Sequence, residues 1–357
     1  MHGDGIRTGT TTSKLTTAPL PKPDLWAAYR MRWRRRGLLW RSFRSRHQLT
    51  CRVDRTGQIA PGGVVVVMTL RNERTRLPFT LAHYRRLGVG HFLIVDNDSS
   101  DGSGDYLAEQ SDVSLWQTAH SYRAARFGLD WMTWLQMRYA DDRWCLMVDV
   151  DELLIYAHHD SRDLGALTAW LDAQGRRVFG AHMLDLYPKG ALSEATYTPG
   201  QDPMEVLQWF DAGPYRAKRQ MPLGNLWVQG GMRERVFFQG YPKRSPTLNK
   251  IPLVRWSWRY AYVNSCHSAL PAALNHGYDG PGGEAPSGVL LHTKFLPEIV
   301  AKSEIEKQRQ QHFHRPEKFA DYYDAIAEAP DLWTPDSQKF SGWQQLEALG
   351  LMRAGGW

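Results

Sequence analysis

The chain has 357 residues, 42% hydrophobic and 23% charged, proportions of an ordinary folded protein and far from those of disordered or collagen-like chains. Its 44 Lys and Arg against 37 Asp and Glu give a formal charge of +7, but residues 1–60 hold 13 basic and 3 acidic side chains, leaving 31 against 34 beyond them, so a basic nucleic-acid-binding body is excluded. Three scattered cysteines, Cys51, Cys145 and Cys266, exclude a disulfide framework or a CxxC site.

Residues 1–22, rich in Thr, Gly, Lys and Pro, offer almost nothing to bury and predict a disordered tail. The character changes over 23–60. Trp26, Tyr29, Trp33, Trp40 and Phe43 recur at spacings of 3, 4, 7 and 3, while Arg32, Arg34, Arg35, Arg41 and Arg44 mostly fill the other faces. A basic amphipathic helix over 25–49 follows, with Gly37 as its weak point. Two placements fit it. It lies on an anionic membrane surface, aromatics at the headgroup boundary and arginines on the phosphates, or it packs on the body or on another chain. No nucleic acid is expected as a partner, because no nucleic-acid-binding fold pattern accompanies the charge.

From residue 61 short apolar runs alternate with helical patterns, which predicts an α/β fold with a mainly parallel, Rossmann-type sheet flanked by helices. Strands are expected at 64–70, 91–95, 113–117, 144–148 and 178–184. Helices are expected from Leu77, Leu81, Tyr84 and Leu87 with Pro78 in the first turn, at 104–110, at 128–139, and from Leu164, Leu167 and Leu171. Beyond 190 the pattern loosens into an α+β half, with strands expected at 206–210, 225–228, 235–238 and 260–263. The catalytic domain is expected at 61–295 and a C-terminal helical extension at 296–357. The longest strongly apolar run, 64–70, is far short of the roughly 20 residues a spanning helix requires, and no signal-peptide core opens the chain. The expectation is a cytoplasmic protein, with peripheral contact at the inner face of the membrane if the basic helix lies there.

The strongest local signal is the strand that runs into Asp149-Val150-Asp151-Glu152. On an extended strand Asp149 and Asp151 share a side and Glu152 points away. Paired carboxylates repel unless a cation lies between them, and oxygen ligands suit Mg²⁺ or Mn²⁺. The bland reading is a strand end whose acids are solvated or paired with arginines. Two more strands also end in polar clusters, Arg71-Asn72-Glu73 and Asp96-Asn97-Asp98, and ligands of open α/β sheets bind outside the carboxyl ends of the strands.

In these pieces, in this order over about residues 63–156, the sequence resembles the family-2-like nucleotide-diphospho-sugar glycosyltransferases, whose single α/β domain is called GT-A. The resemblance implies that Arg71, Asn72 and Glu73 with Asp96 and Asp98 hold the nucleoside. It further implies that Asp149 approaches ribose or metal, and that Asp151 ligates the Mn²⁺ or Mg²⁺ bridging the donor's diphosphate. Arg126, with Arg123, would support the phosphates, unless both serve surface ion pairs. Family members often carry Gly-Gly followed by an acidic pair that includes the base of inverting enzymes. Here Gly230-Gly231-Met232-Arg233-Glu234-Arg235 keeps one acid and has arginine for the second. Glu234 is the first candidate base and Asp185 the second, against a structural ion pair or a strand-end cap for each. His292 follows an apolar run, as the late metal-ligating histidine of such enzymes does; the alternative is a hydrogen-bonded structural histidine. His267 is a weaker candidate, and His312 and His314 read as a solvated helical surface. Trp209, Trp227, Trp256 and Trp258 would offer faces to an acceptor sugar or belong to the core.

The implied reaction moves a sugar from a nucleoside diphosphate sugar to a hydroxyl of a surface polysaccharide or lipid-linked glycan, with inversion. The rivals are a nucleotidyltransferase, for which Arg71-Asn72-Glu73-Arg74 lacks the glycine-rich phosphate loop, and a glycan- or nucleotide-binding protein without turnover.

Overall fold

A nine-stranded mixed sheet organises the described residues, 24–303 and 320–357, of this computed structural model. The predicted tail and His312 and His314 lie outside them. The strands are β1 Thr50–Val53, β2 Val65–Leu70, β3 His91–Asp96, β4 Val113–Gln117, β5 Trp144–Met147, β6 Glu152–Ile155, β7 Val178–Asp185, β8 Trp209–Phe210, β9 Tyr215–Gln220, β10 Asn225–Gly230, β11 Asn249–Arg255, β12 Ala261–Tyr262, β13 Ala269–Leu270, β14 Ser287–His292 and β15 Gln338–Lys339. The large sheet runs β1-β4-β3-β2-β5-β11-β7-β14-β6. Strands β4, β3, β2 and β5 are parallel, β11 is antiparallel to both β5 and β7, β14 is parallel to β7, and β1 and β6 are antiparallel edges.

Helices cover both faces, which is why the central strands read as unbroken apolar runs. Residues Val64, Val66 and Met68 point to the side of α2 (Leu77–Arg86), α3 (Ser103–Glu109) and α5 (Leu164–Ala173), packing with Leu81, Tyr84, Leu107 and Leu167. Residues Val65 and Val67 point to the side of α4 (Leu129–Tyr139), packing with Leu129, Met132 and Leu135. The segment after 295 joins the body: Leu296, Trp343, Leu346 and Met352 share a core with Leu184 and Val289, and β15 pairs with β8.

The N-terminal helix α1, Leu25–Ser45, runs unbroken through Gly37, capped by Asp24 accepting from the Trp26 amide at 2.9 Å. Its inner face meets α4, where Arg41 Nε donates to Asp130 at 2.6 Å and Phe43 stands edge-on to Trp134 at 5.7 Å. The other aromatics point outward: Trp26, Tyr29, Trp33 and Trp40 are 72%, 52%, 52% and 61% exposed.

Several expected elements differ. The strand expected at 235–238 is helix: α7, Gly231–Phe237, because Gly230 and Gly231 both take positive φ and press against Pro214 and Tyr215, which turns the chain off β10. The strand expected at 206–210 is split into the short helix α6, Pro203–Val206, and β8. The central strand β11 is unheralded. Its Pro252 argues against a sheet interior, and a register shift between Lys250 and Leu253 accommodates it, freeing the Ile251 amide to donate to the Cys266 carbonyl at 2.7 Å.

Two buried histidines set an acid limit on this fold. His83, on α2 with Nε2 3.1 Å from the Leu154 carbonyl, and His182, on β7 with no partner for either ring nitrogen among the described residues, are both pushed down to about 3 by burial. At neutral pH each is neutral whether folded or not; below about 6.5 the unfolded chain takes up protons that the folded chain refuses, so stability falls with pH. Between pH 6 and 5 these two residues are expected to take about 2–3 kcal/mol from the unfolding free energy in urea titration, with His267, pushed down to about 3 by burial as well, adding to the loss, and His83→Gln with His182→Gln should reduce that slope.

Candidate functional site

The topology gathers the site at one edge of the sheet. The parallel strands β2, β3, β5, β7 and β14 deliver their carboxyl ends there, and the antiparallel β11 and β6 deliver their amino ends. Side by side on that edge stand Arg71 after β2, Asp96 closing β3, Asp149 after β5, Lys250 opening β11, Asp185 closing β7, His292 closing β14 and Glu152 opening β6. The chain builds outward from β2 through β3 to β4 and then returns to β5 on the other side of β2. That reversal is the switch point at which open α/β sheets bind ligands.

Asp149 and Asp151 lie on a tight turn between β5 and β6, closed by the Glu152 amide donating to the Asp149 carbonyl at 3.1 Å, and not on a continuing strand. The buried Glu152 side chain folds back to accept from the Asp149 amide at 3.3 Å. It also takes Lys250 Nζ at 2.6 Å, and the same ammonium reaches Asp149 Oδ2 at 3.4 Å. Burial alone would lower the Lys250 pKa; Cys266, Glu152 and Asp149 outweigh it and raise it well above the ordinary value. The Asp149 side chain stays 46% exposed and that of Asp151 24%. From behind, Tyr84 donates its hydroxyl to the Glu152 carbonyl at 2.6 Å and accepts from the Leu154 amide at 3.3 Å. Tyr84→Phe is expected to cost about 1–3 kcal/mol in urea unfolding by stranding these buried groups. An unchanged midpoint would show that the hydroxyl contributes nothing to the turn.

Asp151, His292 and Asp185 form one chain of contacts. His292 Nδ1 is 2.6 Å from Asp185 Oδ1 and its Nε2 is 3.3 Å from Asp151 Oδ2, a spacing set by the in-register pairing of His292 with Asp185 across β14 and β7. The other Asp185 oxygen accepts from Arg233 Nε at 2.6 Å. Burial lowers the His292 pKa and the two carboxylates more than reverse it, so it is raised. Burial raises the Asp185 pKa, while Arg233 and His292 bring it down to about 2. Burial raises the Asp151 pKa, and His292, Arg76 and Lys294 more than reverse it and hold the carboxyl well below the ordinary carboxylate range.

The loops after β2 and β3 are laced together. The Asn72 amide donates to Ser99 Oγ at 2.9 Å, Asn72 Oδ1 accepts from the Ser100 amide at 2.8 Å, and the Glu73 amide donates to Ser103 Oγ at 3.0 Å. Arg71 donates to the Asn97 carbonyl at 3.1 Å and approaches Asp98 at 3.4 Å. The buried Asp96 is spent on the Ser99 amide at 3.1 Å and Gln117 at 3.3 Å, and Glu73 is held by Arg76 at 3.0 Å and Lys302 at 2.9 Å.

The remaining candidates have other partners. Glu234 on α7 pairs with Arg216 and accepts from Ser245 Oγ at 3.0 Å, while its neighbour Arg233 reaches the site. Arg126 is held by Asp130 at 2.8 Å and the Tyr262 carbonyl at 3.0 Å. His267 contacts the Asn249 carbonyl at 2.5 Å. Trp256 is core, Trp209 and Trp227 are half-buried, and Trp258 is exposed. Of the buried cations that balance the acids, Arg233 stands in the Gly230–Arg235 motif as a candidate ion-pair partner, whereas Lys250 and Arg76 carry no motif. The one available signal was a lone Lys opening the apolar run 251–254.

Among the described residues no group of three or more His, Cys, Asp or Glu is arranged to hold a metal ion unaided. Asp151 and His292 make a two-ligand set with Asp149 on the same turn. It suits a divalent ion that takes its other oxygens from a bound phosphate, and Asp185 on Nδ1 orients the imidazole as carboxylates do behind metal-bound histidines.

No family model and no curated protein matches the chain. Among solved structures it is similar to a provisionally assigned glucose-1-phosphate thymidylyltransferase from Bacillus anthracis in complex with a sucrose, at 7% identity and a TM-score of 0.28, over 81% of this chain and 95% of that one. A likeness that loose carries no argument about the site.

Proposed function

We propose that the chain is a glycosyltransferase of the GT-A kind, moving a sugar from a nucleoside diphosphate sugar to a hydroxyl acceptor at the Asp149–Asp151 turn. The observation that carries this is the Asp185–His292–Asp151 contact chain, at 2.6 and 3.3 Å, on the same edge of the sheet as its switch point. Asp151 and His292, with Asp149, would hold the Mn²⁺ or Mg²⁺, which when bound supplies positive charge to the leaving diphosphate. Asp185 orients His292, and Arg233 keeps Asp185 ionised. Lys250 offsets the charge of Glu152 and Asp149, so the turn is stable before any donor arrives. The laced loops bearing Arg71, Asn72, Glu73, Asp96 and Asp98 would form the floor for the nucleoside, while Arg126, held by Asp130 and the Tyr262 carbonyl, would have to leave them to reach a phosphate.

In the reaction the bond from the anomeric carbon to the diphosphate oxygen breaks while the acceptor oxygen bonds that carbon and gives up its proton. A carboxyl held at about 2 accepts protons poorly at neutral pH, so Asp185 serves positioning, and Glu234 would act as the base of an inverting displacement only on release from Arg216 and Ser245. The acceptor is assigned as a surface polysaccharide or lipid-linked glycan, with the chain working on the cytoplasmic side. No helix among the described residues is long and apolar enough to cross a membrane. The loop after β2, Arg-Asn-Glu-Arg-Thr-Arg, lacks the glycines a nucleotidyltransferase would use to wrap a triphosphate. Incubation with nucleoside diphosphate sugars and Mn²⁺ separates the readings. Release of free nucleoside diphosphate is expected; pyrophosphate would establish nucleotidyl transfer instead, and tight donor binding without either product would establish a binding protein.

A further inference from the structure

Helix α1 contains seven arginines and no acidic residue. At about 100° per residue, Trp26, Tyr29, Trp33 and Trp40 fall within roughly 60° of one another, with Arg30, Arg34 and Arg41 along one flank and Arg32 and Arg36 along the other. Large aromatics that stay half to three-quarters exposed, after the helix has already buried its opposite face on α4, form a second surface that the monomer leaves uncovered.

Beside that stripe, Arg32, Arg35, Arg36 and Leu39 of α1 and Trp258 and Arg259 of the loop after β11 enclose a cleft of about 350 Å³. Among the described residues none of its four arginines has a carboxylate partner, and the buried Nε of Arg35 has no hydrogen-bond partner. Burial and the neighbouring charges of Arg32, Arg259 and Arg36 lower the Arg35 pKa, the sign of cations crowded without a counter-ion. Guanidinium groups gathered in a concave site suit phosphate oxygens, which they bind through paired N–H donors.

We propose that this face is a docking surface for an anionic bilayer, with the aromatic stripe lying in the headgroup boundary and the Arg32–Arg35–Arg36–Arg259 cleft taking a lipid phosphate. Charge complementarity selects that occupant: a stripe of Trp and Tyr between rows of arginine matches an apolar layer beneath a phosphate plane. Arg41 donates to the Ala124 carbonyl and to Asp130 in the first turn of α4, which anchors the helix on the body while its aromatic stripe stays uncovered. The inference does not depend on the reaction assigned above.

Flotation of the full chain with phosphatidylcholine vesicles, with and without phosphatidylglycerol, tests it. Retention is expected only on the anionic vesicles and is expected to fall with salt. Each arginine removed should weaken partition about fivefold, so R32A/R36A/R259A should lose about a hundredfold while its circular dichroism melt is unchanged. Trp26→Ser with Trp33→Ser and Trp40→Ser should abolish the quenching of stripe fluorescence by brominated lipid tails even where some electrostatic retention persists. Equal partition of wild type and the triple variant overturns the proposal. So does retention on a single-stranded RNA oligonucleotide without retention on anionic vesicles, or protection of the cleft by inorganic phosphate alone with no vesicle binding.

Discussion

Asp151→Asn is expected to reduce turnover of donor sugar by about a thousandfold or more, the scale seen when a charge-stabilising group is removed from a reacting centre. The substitution preserves shape and leaves the amide able to bond His292, while the Asp185–His292 contact at 2.6 Å keeps β7 and β14 in register. The loss should therefore appear in kcat with an unaltered circular dichroism spectrum. Asp151→Ala should behave the same way. Wild-type turnover in either variant would remove Asp151 from the chemistry.

Lys250→Met is expected to cost about 3–5 kcal/mol of stability, because it strands the Glu152 carboxylate in the interior. Both partners are nearly inaccessible, with side chains 4% and 1% exposed and 2.6 Å between them. Adding Glu152→Gln should restore most of the loss, since the neutral amide can still accept from the Asp149 amide and no longer requires a cation. Urea midpoints of the two single variants and the double variant provide the cycle. A single-variant loss below about 1 kcal/mol would place the pair in water, at the strength of exposed ion pairs.

The two kinds of information on this chain separate cleanly. Strands β2, β3 and β4 and helices α2, α3 and α4 were legible because both sheet faces are covered and each apolar run is bounded by Gly, Asn or Asp turns. The alternation of Val64 to Leu70 between two cores shows the cause. Strand β11 was hidden because Asn249, Lys250 and Pro252 deny it a strand's composition, and only the bulge beside Pro252 admits it to the sheet. The outward face of α1 was legible as an aromatic spacing, but which face met the body depended on Ser42 and Ser45 packing against α4, a choice made by fit and not by hydrophobicity.

At the site, Asp149, Asp151, Asp185 and His292 were each visible as polar residues closing apolar runs. Their assembly was not, since the partners lie 107 and 101 residues apart in the His292–Asp185 and Lys250–Asp149 contacts. The cations Arg76 and Lys250 were invisible because a buried charge is tolerated only through partners supplied by distant chain. Glu234 and Arg233 illustrate the same point. They are adjacent in sequence, yet α7 turns one to Arg216 and Ser245 and the other to Asp185.

Binding of Mn²⁺ followed by the electron paramagnetic resonance of the free ion, with and without uridine diphosphate, bears most directly on the proposed donor site. Wild type should take up the ion at least about fivefold more tightly with the nucleotide present, the lower end of ordinary coupling between linked ligands, and Asp151→Asn should show no such gain. Uptake that ignores both the nucleotide and the substitution would mean that the Asp149–Asp151 turn does not hold a metal-bridged diphosphate.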